Sequence, residues 1–114
     1  MAAKRILVIE DEFLIALDIS GALEQAGVVP LGPVGTVAEA LGAIAAGGID
    51  GALLDVHLSG EAVGSVADSL TAKGIPFAFV TGGMREQLPD AHRDAPLVQK
   101  PFTDKDILGA IAGF

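Results

Sequence analysis

Five times along this chain a short apolar run gives way to a stretch of helical periodicity. The runs are Arg5-Ile6-Leu7-Val8-Ile9, Val28-Val29-Pro30-Leu31-Gly32, Ala52-Leu53-Leu54-Asp55-Val56, Ile75-Pro76-Phe77-Ala78-Phe79-Val80-Thr81 and Leu97-Val98-Gln99. Continuous apolar runs of this length predict strands buried on both faces. Strands that alternate strictly with helices imply an α/β fold with a parallel sheet covered on both sides. Pro30 lacks an amide hydrogen, so the second strand belongs at a sheet edge.

The intervening stretches carry helix signals. From Glu12 to about Ala26, the residues Ile15, Ile19, Ala22, Leu23 and Ala26 share one helical face, and Gly27 closes it. Thr36 with Glu39 makes a capping-box pattern ahead of Val37, Leu41, Ile44 and Ala45. Val63, Val66, Ala67 and Leu70 mark a third helix, ended by Lys73-Gly74. Thr103 and Asp106 are placed to cap a last helix from Asp104 to about Ala112. Another helix is expected somewhere in Met84 to Arg93, although Pro89 works against it.

A chain of 114 residues makes one domain, residues 1–114, with a continuous core. Hydrophobic residues are 51% of it, yet charges or glycines break every apolar run well before the ~18 residues of a membrane span. The first residues lead straight into a strand and then into Glu10-Asp11-Glu12, without a signal-peptide core or cleavage site. The expected location is the cytoplasm. Cysteine is absent, which excludes disulfides, thiolate metal sites and cysteine nucleophiles. A net charge of −8, scattered basic residues and the lack of tryptophan and tyrosine speak against direct nucleic-acid binding.

Sheets of this kind bind ligands beyond the carboxyl ends of their strands, where strand order reverses. Four strands end there in a residue capable of chemistry: Glu10-Asp11 after the first, Asp55 in the third, Thr81 in the fourth and Lys100 after the fifth. If the first and third strands are neighbours, three carboxylates crowd one cleft, which is unfavourable unless a cation offsets them. With only oxygen ligands on offer, a hard divalent ion such as Mg²⁺ is the expectation. Lys100 supplies a second, compact positive charge. The set suits phosphoryl transfer. Asp55 would attack phosphorus to form an acyl phosphate, while Mg²⁺, Lys100 and the Thr81 hydroxyl steady the equatorial oxygens. Taken singly, each residue has a plainer reading: a turn former at Asp55, a helix cap at Glu10-Asp11-Glu12, a solvated loop charge at Lys100.

At these residues the sequence resembles the receiver domains of two-component response regulators, the chemotaxis-regulator type. Ile6-Leu7-Val8-Ile9-Glu10-Asp11-Glu12, Leu53-Leu54-Asp55-Val56 and Lys100-Pro101-Phe102 carry the likeness, which covers essentially the whole chain. It implies a flavodoxin-like (βα)5 doubly wound sheet of five parallel strands in the order 2-1-3-4-5. It also implies Asp55 as phosphoacceptor, and Glu10, Asp11 and Asp55 as the Mg²⁺ cluster, completed by the backbone carbonyl of His57. The implied donor is a sensor histidine kinase or a histidine phosphotransfer protein, and the output an unspecified protein contact.

Two departures matter. The aromatic residue usual three positions before the lysine is replaced by Leu97, and Gly82-Gly83 follow Thr81. Pro76-Phe77-Ala78-Phe79-Val80-Thr81-Gly82 is similar to a receiver subgroup with a Pro-Phe-x-Phe-Ala-Thr-Gly signature. Switching is therefore expected in the Gly82-Gly83 loop and the segment that follows it. His57 and His92 are expected to stay out of metal binding through their rings, and Arg85 to be an exposed loop residue. Two other functions fit the same elements: an interaction module regulated by binding alone, and an aspartate-nucleophile phosphohydrolase. The latter lacks the second aspartate that an Asp-x-Asp signature would place at His57. Neither uses the pattern as fully as a receiver that catalyses only its own phosphorylation and dephosphorylation.

Overall fold

A computed structural model describes residues 3–114. Along the chain run β1 (Arg5–Ile9), α1 (Phe13–Gln25), β2 (Val29–Val34), α2 (Val37–Ala46), β3 (Gly51–Leu54), the short β4 (His57–Leu58) and β5 (Glu61–Ala62), α3 (Gly64–Ala72), β6 (Phe77–Thr81), β7 (Leu97–Gln99) and α4 (Asp104–Ala112). Five strands form one parallel sheet in the order β2-β1-β3-β6-β7. With the β4–β5 hairpin set aside, this is the expected 2-1-3-4-5 order. Pro30 does lie on an edge strand, where its missing amide costs no ladder bond.

Alternate residues of each strand feed opposite cores. Leu7, Ile9, Leu54 and Phe79 pack toward α2 and α3, with Ile44, Val66 and Leu70. Ile6, Val8, Leu53 and Val80 pack toward α1 and α4, with Ile19, Leu23, Ile107 and Ile111. Central strands β1 and β3 are therefore apolar on both faces, which is why their sequences show no alternation. Thr36 and Thr103 cap α2 and α4 through their side chains, and Thr103 with Asp106 completes a reciprocal capping box.

Two local differences from the sequence reading stand out. No α-helix forms in 84–93; two single 3₁₀ turns, Arg85–Gln87 and Asp90–His92, take its place. Pro89 sits between them, lacks the amide that a continuous helix would use there, and would clash with the preceding turn. The segment is instead anchored by Leu88, which is buried among α2–α3 core residues. The second difference is the β4–β5 hairpin, which the sequence reading did not foresee. Its two-residue loop, Ser59-Gly60, has positive φ at both positions (49° and 81°), as a type I′ turn requires. Among the described residues, no helix is long and apolar enough to cross a membrane.

Candidate functional site

Register brings the chemistry together. Ile9 pairs with Leu54, so Glu10 and Asp55 emerge side by side as the next residues of neighbouring strands. Thr81 pairs with Gln99, and the Lys100 amide donates to the Thr81 carbonyl at 2.8 Å. All four sequence-predicted positions thus meet at one end of the sheet, on both sides of the switch between β1 and β3.

Lys100 Nζ donates to Glu10 Oε1 at 2.9 Å and lies 3.6 Å from Asp55 Oδ2. Each carboxylate has a second support. Glu10 Oε2 accepts from the Glu12 amide at 3.2 Å, and Asp55 Oδ1 accepts from the Val56 amide at 2.8 Å. Asp11 is exposed, and its Oδ2 accepts from the Ser59 amide at 3.0 Å. Carboxylate oxygens of Glu10, Asp11 and Asp55 lie within 4.8 Å of one another, the spacing at which one cation can bridge them.

Glu10 is 3% exposed, and its burial pushes the carboxyl up to about 7 from an ordinary 4.5. Asp55 nearby adds to that rise, while the hydrogen bond from Lys100 opposes it. For Lys100, burial works against the ammonium, but the Glu10 hydrogen bond and the charges of Asp55, Glu10 and Glu12 outweigh it and raise its pKa. An under-neutralised acidic pocket behaves in this way: the buried acid resists ionisation and the ammonium holds its proton. A hard cation bound by these oxygens would relieve both. The donor set fits Mg²⁺, because it is all carboxylate oxygen with no soft ligand.

Thr81 is 8% exposed, and its Oγ1 accepts from the Gly83 amide at 3.1 Å. A Cβ on Gly83 would collide with the Gln87 carboxamide, so glycine at 83 lets Gln87 sit over the loop beside Thr81. Arg85 does not turn into the pocket. Its Nη1 donates to the carbonyls of Arg93 (2.8 Å) and Ala95 (2.7 Å), stapling the 3₁₀ segment to itself. His92 is paired: its Nε2 lies 2.7 Å from Asp68 Oδ1 on α3, and its ring meets Phe77 edge-on. His57 is exposed at the start of β4, and its ring is not in the carboxylate cluster.

Comparison with solved structures decides the family. The fold superposes on SdrG from Sphingomonas melonis Fr1 with a TM-score of 0.88 and 45% identity, covering 98% of this chain and 97% of that one. SdrG in its BeF3-activated conformation, from Pseudomonas melonis Fr1, matches at a TM-score of 0.81 with the same identity and coverage. The response regulator PhyR from Brucella abortus is 32% identical at a TM-score of 0.83, over 97% of this chain and 47% of PhyR. A response regulator receiver protein from Sinorhizobium medicae WSM419 is 25% identical at a TM-score of 0.82, over 97% and 93%. This chain belongs to the response regulator receiver domains. No protein-family model matches it, and no curated protein does.

Sequence reasoning missed two features of this receiver. One is Ser59, whose only signal was the Ser-Gly pair between Leu58 and Glu61. The other is an apolar patch on the first turns of α1, where Phe13, Leu14 and Leu17 are 68%, 74% and 51% exposed. Their i, i+1, i+4 spacing was legible beside the buried stripe, but only the fold shows them exposed at the start of the helix that follows Glu10-Asp11.

Proposed function

We propose that residues 1–114 act as one cytoplasmic receiver domain in which Asp55 takes a phosphoryl group from a phosphohistidine. A carboxylate oxygen of Asp55 attacks phosphorus, the P–N bond breaks, and the donor imidazole leaves with the electron pair and gains a proton. Lys100 is the observation that carries this reading. A single ammonium bridging Glu10 and Asp55 stands ready to pair with phosphoryl oxygens that arrive at Asp55. Glu10, Asp11 and Asp55 would hold Mg²⁺, with the His57 carbonyl as a further oxygen, and the bound ion supplies charge neutralisation for the transferring group.

Thr81 provides the link to output. Its hydroxyl, now accepting from the Gly83 amide, turns to donate to the new phosphoryl group and gives up that contact. Leu97 offers no ring to follow it, being packed against the α2–α3 core. The loop that responds is therefore 82–88, where Gln87 is seated on Gly83. The Phe13-Leu14-Leu17 patch suits a histidine kinase or phosphotransfer protein, because a donor histidine can reach Asp55 only by docking against the pocket rim. The chain would catalyse its own phosphorylation and dephosphorylation and turn over no external substrate.

The test is phosphorylation by a small acyl phosphate followed by intact-protein mass spectrometry. Expected is the gain of one phosphoryl group that needs Mg²⁺ and vanishes in Asp55→Ala. Undiminished labelling of Asp55→Ala would overturn the assignment. The BeF3-activated conformation of SdrG supports a parallel measurement, in which beryllofluoride should shift amide resonances around Asp55 and Thr81.

A further inference from the structure

We infer that Ser59 is a positioning residue for the cation: the β4–β5 hairpin turn holds Asp11 in place, as Lys100 holds Glu10 and Asp55. The inference rests on the receiver reading of the Glu10-Asp11-Asp55 pocket and deepens it. The three carboxylates are not supported alike. Lys100 approaches Glu10 and Asp55, whereas Asp11 takes its hydrogen bond from the Ser59 amide at 3.0 Å. Asp11 is also the exposed member of the trio, so nothing in its burial would fix its orientation.

Ser59 is in turn anchored. Its Oγ donates to the Gly35 carbonyl at 2.8 Å, and Gly35 packs so closely on Asp11 that a Cβ there would stand 3.4 Å from the Asp11 Cα. One residue thus ties together the loops after β1, β2 and β3, which surround the pocket. The backbone supplies a second observation. Ser59 is the only non-glycine residue with positive φ among the described residues, at 49°. Glycine would take that conformation without penalty, as Gly60 does next to it. A serine in a position that favours glycine is explained when its hydroxyl is used.

The consequence is a pocket wall that needs no metal to form. Carboxylate ligands are commonly held by hydrogen bonds from outside the coordination sphere, and loss of such a partner costs about 10–100-fold in metal affinity. Here the outer partner is a main-chain amide, and the hydroxyl sets where that amide points.

The experiment is calorimetric Mg²⁺ titration of wild type, Ser59→Gly, Ser59→Ala and Ser59→Asn, with melting temperatures measured without Mg²⁺. The chain has no tryptophan or tyrosine, so heat is a better readout than fluorescence. Expected is a Kd raised about tenfold in Ser59→Gly and Ser59→Ala. Ser59→Gly should keep the wild-type melting temperature, because glycine suits the turn. Ser59→Asn, which tolerates positive φ and offers an amide donor toward Gly35, should recover most of the affinity. The Ser59 amide resonance should shift as Mg²⁺ is added to wild type. Wild-type affinity in Ser59→Gly, or affinity losses that merely follow losses in melting temperature, would overturn the inference. Failure of wild type itself to bind Mg²⁺ would instead overturn the receiver chemistry on which it depends.

Discussion

The acidic pocket and the 82–96 segment, which leaves the pocket end of the sheet after Thr81 and returns to the start of β7, are built in opposite ways. Pocket residues follow directly from paired strands: Asp55 donates its amide to the Ile9 carbonyl, Glu10 to Val34, and Lys100 to Thr81. Their backbones cannot move without breaking the sheet. The 82–96 segment has two 3₁₀ turns in place of a helix, and side chains hold it: Leu88 in the core, Arg85 on two carbonyls, His92 on Asp68. Short 3₁₀ turns have poorer hydrogen-bond geometry than an α-helix and carry little stability of their own. The proposed chemistry thus lies on the part that resists deformation, and the proposed response on the part that tolerates it. Thr81 is the joint between them, with its main chain in β6 and its hydroxyl on the Gly83 amide.

Removing the pocket's ammonium should give the largest effect. Lys100→Ala is expected to slow phosphorylation by a small acyl phosphate about 100-fold, as loss of one preorganised charge donor does elsewhere. Amide exchange in 85–95 should stay as in wild type. A matching acceleration of exchange there would show that the two regions are one unit and break the comparison. Arg85→Ala should do the reverse. It removes two hydrogen bonds from a charged donor, so opening of 85–95 should become easier by about 1–3 kcal/mol, read as faster amide exchange, with Mg²⁺ affinity unchanged. Asp68→Ala sharpens the picture at the small end. Asp68 is mostly exposed, so loss of its contact to His92 should ease opening of the same segment by about 0.5 kcal/mol. An effect as large as that of Arg85→Ala would move the main tether from the segment's own staple to α3.

What could be read in the sequence follows the same division. The five strands, the edge position of Pro30 and the caps at Thr36 and Thr103 were legible because each has a local cause: a run of apolar residues, a missing amide, a hydroxyl three residues before an acid. The convergence of Glu10, Asp11, Asp55, Thr81 and Lys100 was legible because strand ends are places in the topology, so naming the strands also named the residues that meet there. The β4–β5 hairpin was not. Two-residue strands carry no periodicity, and its effect on the pocket depends on Asp11 and Gly35, 48 and 24 residues away. The helix expected in 84–93 failed because Pro89 outweighs the helix formers around it, Glu86 and Gln87 among them. The Asp68–His92 pair joins two elements whose relative placement no local pattern encodes.

The two rims of the sheet limit how other proteins can hold this one. β2 carries Pro30 and Pro33, and β7 is three residues long, so an incoming chain finds little main-chain ladder on which to zip itself. Recognition is left to mosaics of side chains on helices and turns. Such mosaics can be retuned by a few substitutions without touching the scaffold, so a new donor or target can be acquired while the phosphoryl-accepting apparatus stays as it is.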